Sequence, residues 1–220
     1  MSITTENYLK TIFAASESAD AELVSLGELA QSLNVTPGTV TTMMKSLADA
    51  GLVVYRPRAG VMLTGEGKDV ALGVVRRHRL LELFLVEVLG LDWSQVHEEA
   101  EELEHAISDR LLERIDEILG HPSVDPHGDP IPTAEGSLPD PVGRPLSEVH
   151  EPDGYCVARV DHDQASFLDY LKETGLVPGA QIDVRDRSDA AGTLVVEVGG
   201  RTVTLSLQVA RKIHVKPTGC

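Results

Sequence analysis

The stretch HEEAEELEH, from His97 to His105, places five glutamates and two histidines within nine residues. Imidazole and carboxylate groups without thiolate suit Mn²⁺, Fe²⁺, Co²⁺ or Zn²⁺. Carboxylates that are half-buried and face one another cost free energy unless a cation joins them. The stretch therefore raises two interpretations, a solvated helix face or a site for a metal ion.

The spacing separates the two interpretations along one helix. At about 100° per residue, Glu101, Glu104 and His105 all fall within about 80° of His97. The apolar stripe beside them comprises Val96, Ala100, Leu103, Ile107 and Leu111. We therefore predict four ligand side chains along the border of a buried stripe, on a helix that starts at Asp92 and runs to about residue 119. The other glutamates point to water.

A second pair of ligand types lies on the preceding predicted helix, residues 66–89. His78 and Glu82 are spaced i, i+4 and so share one helix face. With His97 they could form a second His/Glu cluster. The alternative is that the glutamates form ion pairs with arginines of the same helix, which are Arg76, Arg77 and Arg79. Two clusters on adjacent helices favour metal binding.

The residues before these helices predict a winged helix-turn-helix. Ser25 and Glu28 have the spacing of a capping box at the start of one short helix. Thr36 is placed to cap the next helix and Pro37 to begin it, and Gly51 is placed to end it. LVVY and VMLT then flank RPRAG, which predicts a β-hairpin with two arginines at its turn.

This order of elements favours DNA binding over a helical hairpin used only for packing. The second helix of such a pair enters the major groove with its N-terminal residues on the bases. The candidate DNA-contacting residues of the helix and its cap are Thr36, Pro37, Gly38, Thr39, Thr41 and Thr42. Threonine hydroxyls can bond phosphates or bases, and their methyl groups can meet thymine methyls. We expect Lys45 and the wing residues Arg56 and Arg58 to hold phosphates.

Composition limits the function classes. The chain has 220 residues, with 19 basic and 35 acidic side chains and a formal net charge of −16. That balance alone argues against nucleic acid, but most of the acidic excess lies in the middle of the chain. No apolar run is long enough to span a membrane, and the polar start MSITTENYLK does not resemble a secretory signal. With only two cysteines, the sequence favours a reducing cytoplasmic setting.

After residue 120 the pattern changes twice. The segment GHPSVDPHGDPIPTAEGSLPDPVGRP is rich in Pro and Gly and predicts an irregular linker. Short strands then follow, interrupted by one helix in QASFLDYLKETG, and they predict a small all-β barrel or sandwich. The predicted domains are 1–73 (winged helix-turn-helix), 74–120 (helical), 121–150 (linker) and 151–220 (barrel). The expected fold class is α+β and multidomain.

The whole chain resembles the diphtheria toxin repressor family of iron- and manganese-dependent transcription regulators. The resemblance rests on TTENYL, RRHRLLELFL, GLDWSQVHEEAEELEH and GHPSVDPHGDPIP, together with the helix-turn-helix. It implies a homodimer formed largely through the middle helices and a C-terminal SH3-like barrel. It also implies that divalent metal orders the dimer on a palindromic DNA operator.

The resemblance also implies two ligand sets. The primary site would comprise Asn7, Glu101, Glu104 and His105, with Glu6 as the alternative ligand from the first helix. The ancillary site would comprise His78, Glu82 and His97, with Asp161 and Gln164 added from the first loop of the barrel. Iron-selective members place Met at the position of Asn7 and Cys at that of Glu101, so the oxygen ligands here favour Mn²⁺, with Fe²⁺ as a second possibility.

We therefore expect a metal-dependent repressor of metal-uptake genes, without enzymatic activity. Two other classes stay open at this point. A metalloenzyme could use the same His/Glu clusters with an open position for water. A metal-independent DNA-binding adaptor could use the clusters as ion pairs.

Overall fold

The computed structural model of the chain describes residues 1–19, 23–151, 153–161 and 164–218. They form two compact units, of which the first comprises Met1–His78 and Pro132–Leu138. The second comprises Arg79–Ile131 and Pro139–Cys220. In the described ranges, no helix is long and apolar enough to cross a membrane.

The first unit contains the predicted winged helix-turn-helix. Its elements are α1 (Ile3–Ala19), α2 (Leu26–Ser32), α3 (Pro37–Asp49), β1 (Val53–Arg56), β2 (Gly60–Leu63) and the first part of α4 (Gly65–Glu87). Leu9, Leu29, Val40, Met44 and Val61 are fully buried and join the helices to the antiparallel hairpin. The hairpin is thereby fixed beside α3, the helix predicted to meet DNA.

The predicted helix boundaries of this unit are confirmed by their caps. The Ser25 hydroxyl accepts a hydrogen bond from the Glu28 amide at 3.2 Å, and the Thr36 hydroxyl accepts one from the Thr39 amide at 3.2 Å. Each bond satisfies an amide that the first turn leaves without a helical partner. Gly51 has φ +77°, the left-handed conformation that ends helices at low steric cost.

In the second unit, the predicted single helix from Asp92 to about residue 119 is wrong. Two shorter helices are present, α5 (Val96–Leu103) and α6 (Asp109–Ile118). The Ser108 hydroxyl accepts a hydrogen bond from the Leu111 amide at 3.3 Å and so begins a new helix. Leu103 and Leu111, expected in a buried stripe, are exposed. Val96 and Ala100 of the same predicted stripe are buried as expected. They share the core of this layer with Leu80, Leu81, Leu85, Ile115 and Ile131.

The C-terminal half of the second unit is the predicted β-structure. Its elements are β3 (Arg144–Pro145), a 3-10 turn (Leu146–Glu148), β4 (Gly154–Val160), α7 (Ala165–Thr174), β5 (Gln181–Ser188), β6 (Thr193–Val198), β7 (Arg201–Ser206), α8 (Leu207–Arg211) and β8 (Ile213–Pro217). The six-stranded antiparallel sheet has the order β3-β8-β4-β5-β6-β7. Alternate residues along the strands are buried, as one-sided burial of a sheet requires. The hairpin predicted at Gly199–Gly200 is confirmed by the pairing of Val198 with Arg201.

The segment between α6 and β3 has irregular backbone, as predicted, but part of it is buried. Asp125, His127 and Asp129 each expose 6% or less of their surface. Gly128 has φ +89°, and a Cβ atom there would lie 2.1 Å from the Ala158 carbonyl oxygen. Only glycine lets the segment approach β4 this closely. This part of the predicted linker therefore packs against the barrel.

Candidate metal centre and nucleic-acid interface

In the second unit, the carboxylate of Glu82 lies between two histidine side chains. Glu82 lies on α4 with no exposed surface. One carboxylate oxygen, Oε1, lies 3.2 Å from His97 Nδ1, and the other, Oε2, lies 3.8 Å from His127 Nδ1. A buried carboxylate needs positive charge or hydrogen-bond donors to offset its desolvation. The predicted ligands Glu82 and His97 are therefore brought together, and His127 joins them.

Asp125 completes a group of three buried ligand side chains with Glu82 and His127. One oxygen atom from each carboxylate and one nitrogen from the imidazole all lie within 4.8 Å of one another. Asp125 Oδ1 accepts hydrogen bonds from the amides of His127 at 2.8 Å and Asp129 at 2.9 Å, which fixes the carboxylate. Oδ2 lies 3.7 Å from Arg79 Nε. Two carboxylates and one imidazole fit a divalent ion such as Mn²⁺, Fe²⁺ or Zn²⁺.

The tautomer of His127 suits this role. Its Nε2 lies 3.1 Å from the Trp93 carbonyl oxygen, which can only accept a hydrogen bond, so Nε2 carries the proton. In a neutral imidazole the lone pair is then on Nδ1, the atom that faces Glu82. A backbone carbonyl that fixes the second nitrogen is a common companion of metal-binding histidines.

Sequence reasoning did not include Asp125 and His127 among the candidate ligands. Both belong to VDPHGDP, which the sequence predicted only as irregular linker. The available signal was an acidic residue and a histidine two positions apart in a segment with a fixed, Pro- and Gly-rich backbone. Their proximity to Glu82 depends on a contact across more than 40 residues, which no local pattern reveals.

Three predicted primary ligands lie at the end of α5. Glu104 has no exposed surface, and its Oε1 lies 3.3 Å from His105 Nε2. Glu101 is partly exposed, and its Oε1 lies 3.8 Å from His97 Nε2. The structure thus brings Glu104 together with His105, and Glu101 together with His97.

Two predicted ligands belong to the first unit. Asn7 is partly buried on α1, where its backbone carbonyl accepts a hydrogen bond from the Thr11 hydroxyl at 2.8 Å. His78 is buried, and its Nδ1 lies 3.2 Å from Lys10 Nζ. Because an ammonium group only donates, this contact makes Nδ1 the accepting nitrogen of His78.

The two barrel ligands have different surroundings. Asp161 Oδ1 lies 3.3 Å from His214 Nε2 and 3.6 Å from Arg159 Nη1, and both of these groups belong to the barrel. Gln164 is exposed and begins α7 without a side-chain capping bond. Their role as metal ligands stays a prediction.

The candidate DNA-binding face is exposed, as such a surface must be. Thr36, Pro37, Gly38, Thr39, Thr42, Lys45, Arg56 and Arg58 are exposed, and Thr41 is partly exposed. The Thr41 hydroxyl donates to the Pro37 carbonyl at 2.9 Å, and the Thr42 hydroxyl donates to the Gly38 carbonyl at 3.0 Å. Their methyl groups and oxygen lone pairs are therefore left for contacts outside the helix. Arg58 has φ +68° at the tip of the hairpin.

Comparison with known proteins agrees with this architecture. Three family models match the chain: the N-terminal DNA-binding domain of iron dependent repressors over residues 1–61, their metal binding and dimerisation domain over residues 64–133, and the FeoA domain over residues 144–217. The iron-dependent repressor IdeR of Mycobacterium leprae (strain TN) is 33% identical over 97% of this chain and 96% of its own.

The chain belongs to the iron-dependent repressor family. Two solved structures of similar proteins are a manganese-dependent transcriptional repressor in complex with manganese (41% identity, TM-score 0.86) and ScaR with bound Zn²⁺ (36% identity, TM-score 0.79). Each covers 97% of this chain and is itself covered to 99%. The resemblance seen in the sequence and the SH3-like C-terminal domain are thus confirmed.

Membership of the iron-dependent repressor family decides among the three functional classes. The protein is a metal-dependent, DNA-binding transcriptional repressor with a dimerisation domain, and its relatives are repressors rather than enzymes. The interpretation as a metal-independent adaptor is not supported. Both Mn²⁺ and Fe²⁺ fit this family.

Proposed function

We propose that this chain is a cytoplasmic, Mn²⁺-activated repressor that binds a palindromic operator as a homodimer and represses metal-uptake genes. The donor chemistry carries the proposal. Asn7, Glu101 and Glu104 offer oxygen and His105 offers nitrogen, where iron-selective members have two sulphur ligands. Oxygen-rich sites suit Mn²⁺ better than thiolate or thioether sites do.

The proposal assigns two metal sites to each chain. The primary ligands are Asn7, Glu101, Glu104 and His105. The second site is built on Glu82, with His78 and His97 from the predicted ancillary set and Asp125 and His127 from the buried segment. Asp161 and Gln164 are proposed as further ligands from the barrel. When bound, the ion supplies positive charge that offsets the repulsion between these carboxylates.

The DNA side of the proposal uses the exposed start of α3 and the wing. Thr36, Pro37, Gly38, Thr39, Thr41 and Thr42 would contact the groove, while Lys45, Arg56 and Arg58 would hold phosphates. Contacts with the DNA phosphates position the protein on the duplex, and contacts with the base edges read the sequence.

The test is a titration of operator binding with Mn²⁺, Fe²⁺ and Zn²⁺ under reducing conditions, with chelator-treated protein as the reference. We expect Mn²⁺ to produce the tightest binding, Fe²⁺ to follow, and Zn²⁺ to bind tightly but activate less, because Zn²⁺ usually settles for four ligands. Chelator-treated protein that binds operator as tightly as the Mn²⁺-loaded protein would contradict the proposal.

A further inference from the structure

The chain's single tryptophan stacks on His127. The two ring centroids are 5.4 Å apart, with 25° between the ring planes. The backbone carbonyl of the same Trp93 accepts the proton of His127 Nε2 at 3.1 Å. One residue thus fixes both the plane of the imidazole and the nitrogen that carries its proton.

Trp93 is in turn held by the barrel. Its side chain packs against the buried core of the β-domain. The residue before it, Asp92, accepts hydrogen bonds from the Ser94 amide at 3.1 Å and hydroxyl at 3.0 Å, which closes the loop around Trp93. The other oxygen of Asp92 pairs with Lys172 Nζ of α7 at 2.5 Å.

The backbone of His127 is also attached to the barrel. Its carbonyl accepts a hydrogen bond from the Val160 amide of β4 at 2.9 Å, and Arg159 Nη1 lies 3.2 Å from Asp129 Oδ1. The imidazole and the backbone of His127 are therefore both positioned by groups that the barrel holds. This continuous set of contacts runs from α7 through Asp92 and Trp93 to the nitrogen that faces Glu82.

We propose that Trp93 is a positioning residue that sets His127 Nδ1 as a metal ligand, and that the Lys172–Asp92 pair makes α7 of the barrel part of this device. The proposal rests on the metal site of the proposed function. It gives the barrel a role in metal affinity that does not require a direct ligand from the barrel. Loosening α7 from the loop should let the Trp93 carbonyl move and free the imidazole to change tautomer.

The test compares Lys172→Met and Asp92→Asn with wild type, with Lys172→Arg as the rescuing variant. Lys216→Met, at an exposed lysine of the same barrel, is the matched control. The first readout is the ¹⁵N–¹H NMR spectrum of the histidine rings in chelator-treated protein at pH about 8, above the usual imidazole pKa. The His127 resonances are assigned by their loss in His127→Gln. A folding check by thermal unfolding accompanies each variant.

The second readout is the affinity for Mn²⁺, measured from the quenching of Trp93 fluorescence during a Mn²⁺ titration. The binding phase that disappears in His127→Gln identifies this site. We expect wild type to hold the proton on Nε2, and Lys172→Met and Asp92→Asn to show mixed tautomers. Their Mn²⁺ affinity at this site should fall roughly tenfold, the lower end of what outer-shell changes cost. Lys172→Arg and Lys216→Met should behave as wild type.

Wild-type tautomer and unchanged Mn²⁺ affinity in Asp92→Asn would overturn the proposal. So would a binding curve in which no phase depends on His127, because His127 would then not be a ligand. In that case operator binding that still follows Mn²⁺ would remove His127 from the second site but leave the Mn²⁺-activated repressor of the proposed function standing. Operator binding that ignores metal in wild type would refute the proposed function separately.

Discussion

At the scale of single residues, the proposed Mn²⁺ preference depends on the donor atoms of the candidate ligands. Glu101 offers oxygen where iron-type relatives are expected to offer the thiolate of cysteine. The affinity of a given site for divalent ions generally rises from Mn²⁺ towards the later transition metals. Selectivity for Mn²⁺ therefore has to come from the geometry of the site and the type of its ligands. Carboxylates bind through one or both oxygens, which lets a site expand to the higher coordination numbers that Mn²⁺ accepts.

Glu101→Cys tests this argument directly. The thiolate should shift activation towards Fe²⁺ and Co²⁺ and weaken the response to Mn²⁺, because sulphur is a softer ligand than oxygen. The measurement is the order of the three ions in an operator-binding titration. Glu99→Cys, at an exposed glutamate of the same helix, is the matched control. An unchanged order of ions in Glu101→Cys would remove Glu101 from the metal site.

At the scale of elements, local signals predicted most of the architecture. The caps at Ser25 and Thr36 and the stop at Gly51 are sequence-local, and each is confirmed. The single helix predicted across residues 92–119 was wrong, because the cap at Ser108 outweighed a continuing helical period. The buried Glu82–Asp125–His127 group was missed, since it depends on an irregular segment folding back on α4.

The wing hairpin carries its own prediction. Arg56 and Arg58 are exposed at and beside the hairpin turn, where a phosphate can reach them. Replacing either with Ala should weaken binding to every DNA sequence and reduce the slope of log affinity against log salt by about one per lost contact. Binding is measured at several salt concentrations on operator and on unrelated DNA. Altered base preference with an unchanged slope would place these side chains in the groove.

The α4–α5 loop predicts a pH dependence. The hydrogen bond from Lys172 lowers the pKa of Asp92 from 3.8 to about 2, and the Ser94 amide adds to the effect. A carboxyl group whose pKa is lowered by folding stabilises the fold at pH values above its pKa in the unfolded chain. That stabilisation is lost as the pH falls through its pKa in the folded chain. The difference in unfolding free energy between wild type and Asp92→Asn should therefore shrink as pH falls from about 4 to about 2. A difference that stays constant over this range would contradict the role of the pair.

At the scale of the whole molecule, the distribution of charge along the chain reconciles an acidic protein with DNA binding. The formal net charge is −16, while the face predicted to meet DNA carries Lys45, Arg56 and Arg58. We expect the protein to bind non-specific DNA weakly, because binding to DNA phosphates favours clustered Lys and Arg and this face carries only three such residues. Each bound divalent ion adds two positive charges to the acidic part of the chain. Metal thus changes both the internal repulsion and the electrostatics of approach to DNA.

Metal binding should also stabilise the fold as a whole. An ion that binds only the folded chain adds about 2.7 kcal/mol to the unfolding free energy at a hundred times its Kd. Glu82→Gln should lose much of this gain, since it removes the buried charge between His97 and His127 while keeping the side-chain size. Glu87→Gln, at an exposed position on the same helix, should keep it. The measurement is denaturant unfolding with Mn²⁺ and with chelator. Equal Mn²⁺ stabilisation of Glu82→Gln and wild type would show that Glu82 does not hold the ion.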